Sequence, residues 1–223
     1  AVQAAQKGDV QVMLVGDAEK VQLELAKHDT RKLPIGTVPS EGMIAGGLVV
    51  ALITVFKKTA APYTVPLYGA LEGLLLGAVS AGYEARFPGI VMNAVGLTLG
   101  TLFALLAVYK SRLIAVTDNM RLGLAEATGG VMVVYLIDKA MGFFGVRIPF
   151  IHQSGPLGIA FSLFVVGLAA FNLVMDFDFI ERGADSGAPK HMEWYGAFGL
   201  VVTLVWLYLE MLRLLSKLQS RRS

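Results

Sequence analysis

Pro156–Met175 reads PLGIAFSLFVVGLAAFNLVM, a run of twenty residues without a charged side chain. A helix of that length rises about 30 Å, which matches the hydrocarbon core of a bilayer. Only helices and closed barrels satisfy their backbone groups in lipid, and the run is too long for a barrel strand. The stretch therefore predicts a transmembrane helix.

The whole chain has the composition of a membrane protein. Of its 223 residues, 55% are hydrophobic and 16% are charged, and the mean hydropathy is +0.63. An ordinary soluble domain carries about 25% charged residues. The composition argues against a disordered chain and against an ordinary soluble enzyme. The lack of cysteine excludes disulfides and thiolate metal sites, and no basic stripe is suited to nucleic acid.

Similar apolar stretches recur along the chain and predict an all-α bundle of transmembrane helices. The six predicted spans are residues 42–56, 63–83, 88–109, 122–146, 156–176 and 194–212. Most loop Lys and Arg residues follow the first, third and fifth spans, which places those loops in the cytoplasm. Four basic residues at the C-terminus conflict with this orientation. They are Arg213, Lys217, Arg221 and Arg222.

Residues 1–41 differ from the rest of the chain, which gives a domain boundary between residues 41 and 42. Residues 9–17 predict a short strand and residues 18–28 an amphipathic helix. This soluble strand–helix unit is too small to hold a core alone. It is either a cytosolic extension or a non-native fusion. An alternative start for the first span extends it back through Ile35.

The second span carries a ridge of glycines and an acid. Gly69, Gly73 and Gly77 are four residues apart and lie on one helix face, where they predict close packing of another helix. Glu72 lies beside this ridge in the middle of the span. A carboxyl group at that depth either bonds between helices or acts as a proton or cation ligand, and both interpretations stay open.

Two aspartates stand at the end of the fifth predicted span. Asp176 and Asp178 are about 200° apart around a helix, so they cannot face one site. The simplest interpretation of Asp178 is solvation at the helix end, with an i,i+4 pair to Arg182. Asp176 is the better functional candidate, and Asn172 lies one turn before it on the same face.

Glu210 lies late in the sixth span and admits two interpretations. It is spaced for an ion pair with Arg213. Alternatively, it is a partner for Asp176, because two carboxyl groups sharing a site form a proton-sensitive pair. Such a pair also offers oxygen ligands for a hard cation such as Ca²⁺.

The remaining polar residues give no catalytic site. Asp138 is a secondary site candidate, since the adjacent Asp138 and Lys139 indicate a kink, a cavity or an interface. Ser162 is expected to form an interhelical hydrogen bond. No nucleotide, nucleophile or zinc motif is found in the sequence. We therefore expect neither an enzyme nor a cofactor, and no fixed metal site.

Several stretches resemble the Bax inhibitor family, specifically its bacterial YccA-like branch. The resemblance covers roughly residues 42–220. The matching stretches are Leu71-Glu72-Gly73, Arg86-Phe87-Pro88-Gly89-Ile90, Ile148-Pro149-Phe150-Ile151-His152, Asp176-Phe177-Asp178-Phe179-Ile180-Glu181 and Glu193-Trp194-Tyr195 through Leu212.

The resemblance implies a bundle of seven helices in the bacterial inner membrane, with the last helix surrounded by the others. The first family helix is expected to be missing or replaced here. It also implies a pH-sensitive Ca²⁺ leak channel whose sensor is a pair of Asp residues. The first corresponds to Asp176 and the second most resembles Glu210. The family's usual interval would instead fall near Leu200 to Thr203, where no acid stands.

The leading functional hypothesis is a pH-gated cation leak channel or transporter, with Asp176, Glu210 and Glu72 as the acids and Ca²⁺ as the transported ion. Its expected partner is then the lipid bilayer. The alternative is an interaction protein that modulates a membrane protease or another membrane partner without transport. Residues 1–41 would then be the contact element.

Overall fold

A computed structural model describes residues 12–16, 35–143 and 155–221. It shows six α-helices, preceded by a short pair of strands. The strands are β1 (Val12–Gly16) and β2 (Ile35–Pro39), which are parallel and pair from Val12 with Ile35 to Gly16 with Pro39. The helices are α1 (Ser40–Phe56), α2 (Ala61–Arg86), α3 (Ile90–Lys110), α4 (Asp118–Phe143), α5 (Pro156–Asp185) and α6 (His191–Ser220).

The predicted helical membrane architecture is confirmed. Within the described residues, five helices are long and apolar enough to cross a membrane, and Ile44–Phe56 of α1 is a shorter apolar helix. Large apolar side chains such as Leu48, Met92 and Leu136 are exposed on the outside. Exposed apolar surface of this extent is what a lipid-facing bundle presents.

Several predicted boundaries are wrong. Residues 35–39 form β2, so the first span does not extend back through Ile35. The fifth span continues to Asp185 and the sixth to Ser220, which places both aspartates inside α5. The strand β1 lies within the strand predicted for residues 9–17. The helix predicted for residues 18–28 lies outside the described residues.

The chain divides into two compact units, Ala1–Gly82 and Tyr83–Ser223. In the first unit, α1 lies against α2: the Thr54 hydroxyl donates to the Thr64 hydroxyl at 2.7 Å. The compact units divide after Gly82, a division by contacts that does not test the boundary predicted between residues 41 and 42. That boundary stays a prediction.

The second unit contains α3 to α6. Helix α5 packs against α3, α4 and α6, and α6 also packs against α3. One apolar cluster joins Val131 of α4 to Val165 and Leu168 of α5, and Trp206 of α6 packs against it. These two last helices contribute most of the buried side chains. Most of the buried polar side chains of the described residues also lie on α5 and α6, namely Ser162, Asp178, Thr203, Glu210 and Lys217.

Local chemistry sets the helix ends in this unit. Pro156 stands in the first turn of α5, where its missing N–H leaves no helical bond unmade. Gly89 has φ of 84° before α3, a conformation that favours glycine. The backbone N–H groups of Gly89 and Val91 donate to the Glu84 carboxylate at 2.6 and 3.1 Å, which caps the start of α3.

Candidate functional site

Asp176 of α5 faces α6 at a glycine. A Cβ atom added at Gly199 would stand 3.2 Å from Asp176 Oδ1, so the missing side chain makes room for the carboxyl group. The hydroxyl of Thr203, one turn further along α6, hydrogen-bonds the same carboxyl. Asp176 Oδ2 is buried and has no hydrogen-bond partner among the described residues. The arrangement leaves one carboxyl oxygen available for a proton, a water molecule or a cation.

Asp178, two residues later, has a different environment. Its carboxylate accepts hydrogen bonds from Arg121 Nη2 of α4 at 2.6 Å and from Arg182 Nε at 3.2 Å. The predicted i,i+4 pair with Arg182 is thus confirmed. The predicted solvation is wrong, because Asp178 is only 9% exposed. Its two guanidinium partners compensate the charge that burial would otherwise leave unpaired.

Further charges gather at the same end of the bundle. Glu181 of α5 accepts a hydrogen bond from the Tyr109 hydroxyl of α3. Lys110 Nζ and Arg112 Nη2 lie 3.9 and 3.7 Å from its carboxylate. The C-terminal end of α5 is therefore tied by ion pairs to both α3 and α4.

A cavity of about 810 Å³ opens at this end. Arg121, Asp178 and Arg182 line it together with Glu193 of α6 and the α5–α6 turn. Two basic and two acidic side chains leave its charged lining balanced. The cavity is therefore bordered by the ion cluster of Asp178, Arg121 and Arg182.

Glu210 lies near the other end of α6 and is 1% exposed. Its Oε1 accepts hydrogen bonds from the Tyr135 hydroxyl of α4 at 3.0 Å and from Arg213 Nη1 at 2.7 Å. The guanidinium carbon of Arg213 also lies 4.9 Å from the centre of the Tyr135 ring. The ion-pair interpretation of Glu210 is therefore the one that the structure supports.

The structure does not bring Asp176 and Glu210 together as a carboxyl pair. The α6 residues beside Asp176 are Gly199 and Thr203. Glu210 follows Thr203 by seven residues, which is about 10 Å along a helix. The closer interval of the family pointed to this part of α6, and there Asp176 meets a hydroxyl instead of a second acid. The sequence did not identify Thr203 as a site residue because its side chain is uncharged.

Lys217, near the end of α6, is also inside the bundle and 5% exposed. Its Nζ donates to the Gly158 carbonyl at 2.9 Å and to the Ser162 hydroxyl at 2.8 Å, both on α5. The predicted interhelical bond of Ser162 is confirmed. Arg213 and Lys217 form hydrogen bonds within the bundle, so they do not count as loop charges. The conflict between the C-terminal basic residues and the orientation deduced from the loops is therefore smaller.

The secondary candidates have separate places. The Asn172 amide donates to the Thr128 hydroxyl of α4 and to the Leu168 carbonyl, both at 2.9 Å. Asn172 therefore forms an interhelical hydrogen bond with α4 and takes no part in the contact of Asp176 with α6. Asp138 is half-buried on α4, whereas the adjacent Lys139 is exposed.

Glu72 belongs to the first unit. The Tyr68 hydroxyl hydrogen-bonds its carboxyl group. A Cβ atom at Gly47 of α1 would stand 3.7 Å from Glu72 Oε1, so α1 passes close to this acid. The glycine ridge beside it is open: Cβ atoms at Gly69, Gly73 and Gly77 would meet no described atom within 4 Å. The packing predicted for the ridge is therefore not found within the described chain.

Fixed metal binding finds no support in the described ranges. No group of three His, Asp or Glu side chains among residues 12–16, 35–143 and 155–221 is placed to hold a metal ion.

Comparison with known proteins places most of the chain in one family. The family described as Bax inhibitor 1 like matches residues 10–220, so the match begins well before residue 42. A phosphate acyltransferase of Deinococcus radiodurans is 39% identical over 101 residues, which is 45% of this chain and 26% of that protein. The chain thus spans about a quarter of the length of that curated relative. No solved structure matches the chain.

Proposed function

Because the chain belongs to the Bax inhibitor 1 like family, we propose that this integral membrane protein is a pH-sensitive cation leak, with Ca²⁺ as its principal ion. Asp176 is its titrating group. The proposal places the protein in the bacterial inner membrane, within the YccA-like branch, and assigns it no catalytic reaction.

One observation carries the proposal. Asp176 is held between two membrane-length helices with one buried oxygen that no described group satisfies. A carboxylate in that position is costly unless it binds a proton, water or a cation. Asp178 lies on the same helix and has two arginine partners, so it is already compensated. Asp176 is consequently the acid of α5 whose charge depends on whether a proton or a cation reaches its carboxyl group.

The contact with α6 links the charge of Asp176 to helix packing. Its Oδ1 would lie 3.2 Å from a Cβ atom at Gly199, and its carboxyl group is hydrogen-bonded by Thr203. Protonation changes an acceptor-only carboxylate into a group with one donor and removes its charge. The balance between a closed and an open α5–α6 interface then shifts with pH, which is a two-state response to a local change.

The other two acids have lesser parts in this proposal. The charge of Glu210 is compensated at Oε1 by Arg213, and the same oxygen accepts from Tyr135 of α4, whereas its buried Oε2 has no partner among the described residues. Glu72, hydrogen-bonded by Tyr68, adds a half-buried acid in the first unit. Neither one replaces Asp176 as the titrating group.

The test is Ca²⁺ entry into proteoliposomes that contain the full chain, measured from about pH 5 to about pH 8. Wild type is compared with Asp176→Asn, which keeps the side-chain shape and removes its charge. Asp185→Asn is the matched control, because Asp185 ends the same helix and is exposed.

We expect flux that varies with pH in wild type and in Asp185→Asn, and flux that is flat across the pH range in Asp176→Asn. An Asp176→Asn chain with an unchanged profile would remove Asp176 from the mechanism. If no chain conducts Ca²⁺ at any pH, the leak proposal fails and the role as a membrane interaction protein becomes the better hypothesis.

A further inference from the structure

A buried lysine closes the end of the α5–α6 interface that lies away from the ion cluster of Asp178. Lys217 stands three residues before the end of α6, and its Nζ reaches the first turn of α5 at Gly158 and the next turn at Ser162. Along α5, Ser162 precedes Asp176 by fourteen residues, or about 21 Å. Lys217 and Asp176 therefore occupy two different levels of one interface.

The ammonium group of Lys217 is held by uncharged oxygens. Its two acceptors are a backbone carbonyl and a serine hydroxyl, whereas the nearby Glu210 carboxylate accepts from Arg213 and Tyr135. Glu210, Arg213 and Lys217 together carry one more positive than negative charge. Lysines near helix ends usually extend their ammonium group to water, but this one turns inward and is 5% exposed.

We propose that Lys217 is an electrostatic barrier to cations at this end of the α5–α6 interface, and that it sets both the rate and the charge selectivity of the leak. This inference rests on the proposed leak function. A buried positive charge repels an approaching cation in proportion to the ion's own charge. The barrier is therefore twice as high for a divalent ion as for a monovalent one.

The test compares ion fluxes of full-length Lys217→Met with those of wild type in the same proteoliposomes. Because rates depend exponentially on barrier height, the factor for Ca²⁺ is the square of the factor for K⁺. We expect a rise of about tenfold in Ca²⁺ flux and about threefold in K⁺ flux, with no rise in Cl⁻ flux. Lys217→Arg keeps the charge and is expected to keep cation flux low.

Two further variants keep the test decisive. Lys190→Met removes an exposed cation of the α5–α6 turn and is the matched control. Lys217→Gln removes the charge but keeps a donor for Ser162, and it replaces Lys217→Met in the test if that chain does not fold.

The outcomes separate this inference from the leak proposal. Equal factors for Ca²⁺, K⁺ and Cl⁻ would show a loosened bundle and overturn the barrier. Unchanged fluxes in Lys217→Met and Lys217→Gln, with a pH-dependent wild type that Asp176→Asn flattens, would overturn the barrier alone. Absence of flux in every chain would overturn both.

Discussion

Helix α2 and the α5–α6 pair carry the same kinds of residue but use them differently. Each has glycines spaced along a face and an acid within a membrane-length helix. The α2 glycines face open space, whereas Gly196 and Gly199 of α6 lie against α5 side chains. The difference shows that glycine spacing identifies a face that permits close packing, while the neighbouring side chains decide whether packing occurs.

The acids of the two regions differ in the same way. Glu72 of α2 is half-buried and hydrogen-bonded by Tyr68, a neighbour on its own helix. The acids of α5 are bound by other helices: Asp178 by Arg121 of α4, and Asp176 by Thr203 of α6. Substitutions in α5 and α6 should therefore affect assembly of the bundle more than matched substitutions in α2.

The largest expected effect is that of Asp178→Ala. It removes the buried carboxylate that Arg121 and Arg182 share, and we expect a loss of about 3 kcal/mol in the free energy of unfolding. Glu72→Ala is the matched change in α2, with an expected loss of about 1 kcal/mol. Denaturant unfolding in detergent micelles measures both. Equal losses in the two variants would contradict the distinction between the regions.

Gly196→Leu tests the close approach of α6 to α5. A Cβ atom at Gly196 would stand 2.9 Å from Ile180 Cγ1, so a larger side chain must displace that residue. We expect a loss of about 2 kcal/mol, typical of overpacking. Gly73→Leu, on the open ridge of α2, should change stability by less than about 0.5 kcal/mol. The same unfolding assay applies, and a destabilised Gly73→Leu would reveal a packed ridge.

Replacing glycine by alanine should stabilise α2 more than it stabilises α6. Gly73→Ala gains helix propensity without a contact and should stabilise α2 by up to about 1 kcal/mol. Gly199→Ala brings a Cβ atom to 3.2 Å from Asp176 Oδ1, which offsets that gain. A thermal unfolding scan of the two variants side by side checks the difference. The comparison fails if Gly199→Ala is stabilised as much as Gly73→Ala.

Most of the fold could be predicted from the sequence, because apolar length alone marks membrane helices. All six predicted spans correspond to helices, and the errors lie at the ends, where α5 and α6 run on through charged residues. Asp178 and Lys217 are two such charges that lie beyond the predicted ends of the spans. They stay helical because partners on other helices, such as Arg121 for Asp178 and Ser162 for Lys217, compensate them.

The candidate site was less predictable, because it depends on the register between helices. Asp176 was identified from its depth in an apolar span, but its neighbour on α6 is Thr203 and not Glu210. Helix periodicity relates residues within one helix and carries no information about how far two helices slide along each other. Arg121 was likewise hidden, since it precedes Asp178 by 57 residues.

A smaller effect is expected for the polar link between α4 and α5. Asn172→Leu removes the amide that bonds Thr128 and should cost about 0.6 kcal/mol, the usual strength of such bonds between membrane helices. Because Asn172 does not take part in the Asp176 contact, the pH profile of Ca²⁺ flux should stay as in wild type. A lost pH response in this variant would mean that the α4–α5 link belongs to the switch.

The most direct test of the central claim is the pH profile of Ca²⁺ flux in Glu210→Gln. If Asp176 titrates beside Thr203 and Glu210 is a separate anchor, this chain keeps a pH-dependent flux with the wild-type midpoint. A flat profile, like the one expected for Asp176→Asn, would contradict the account and restore a shared carboxyl pair.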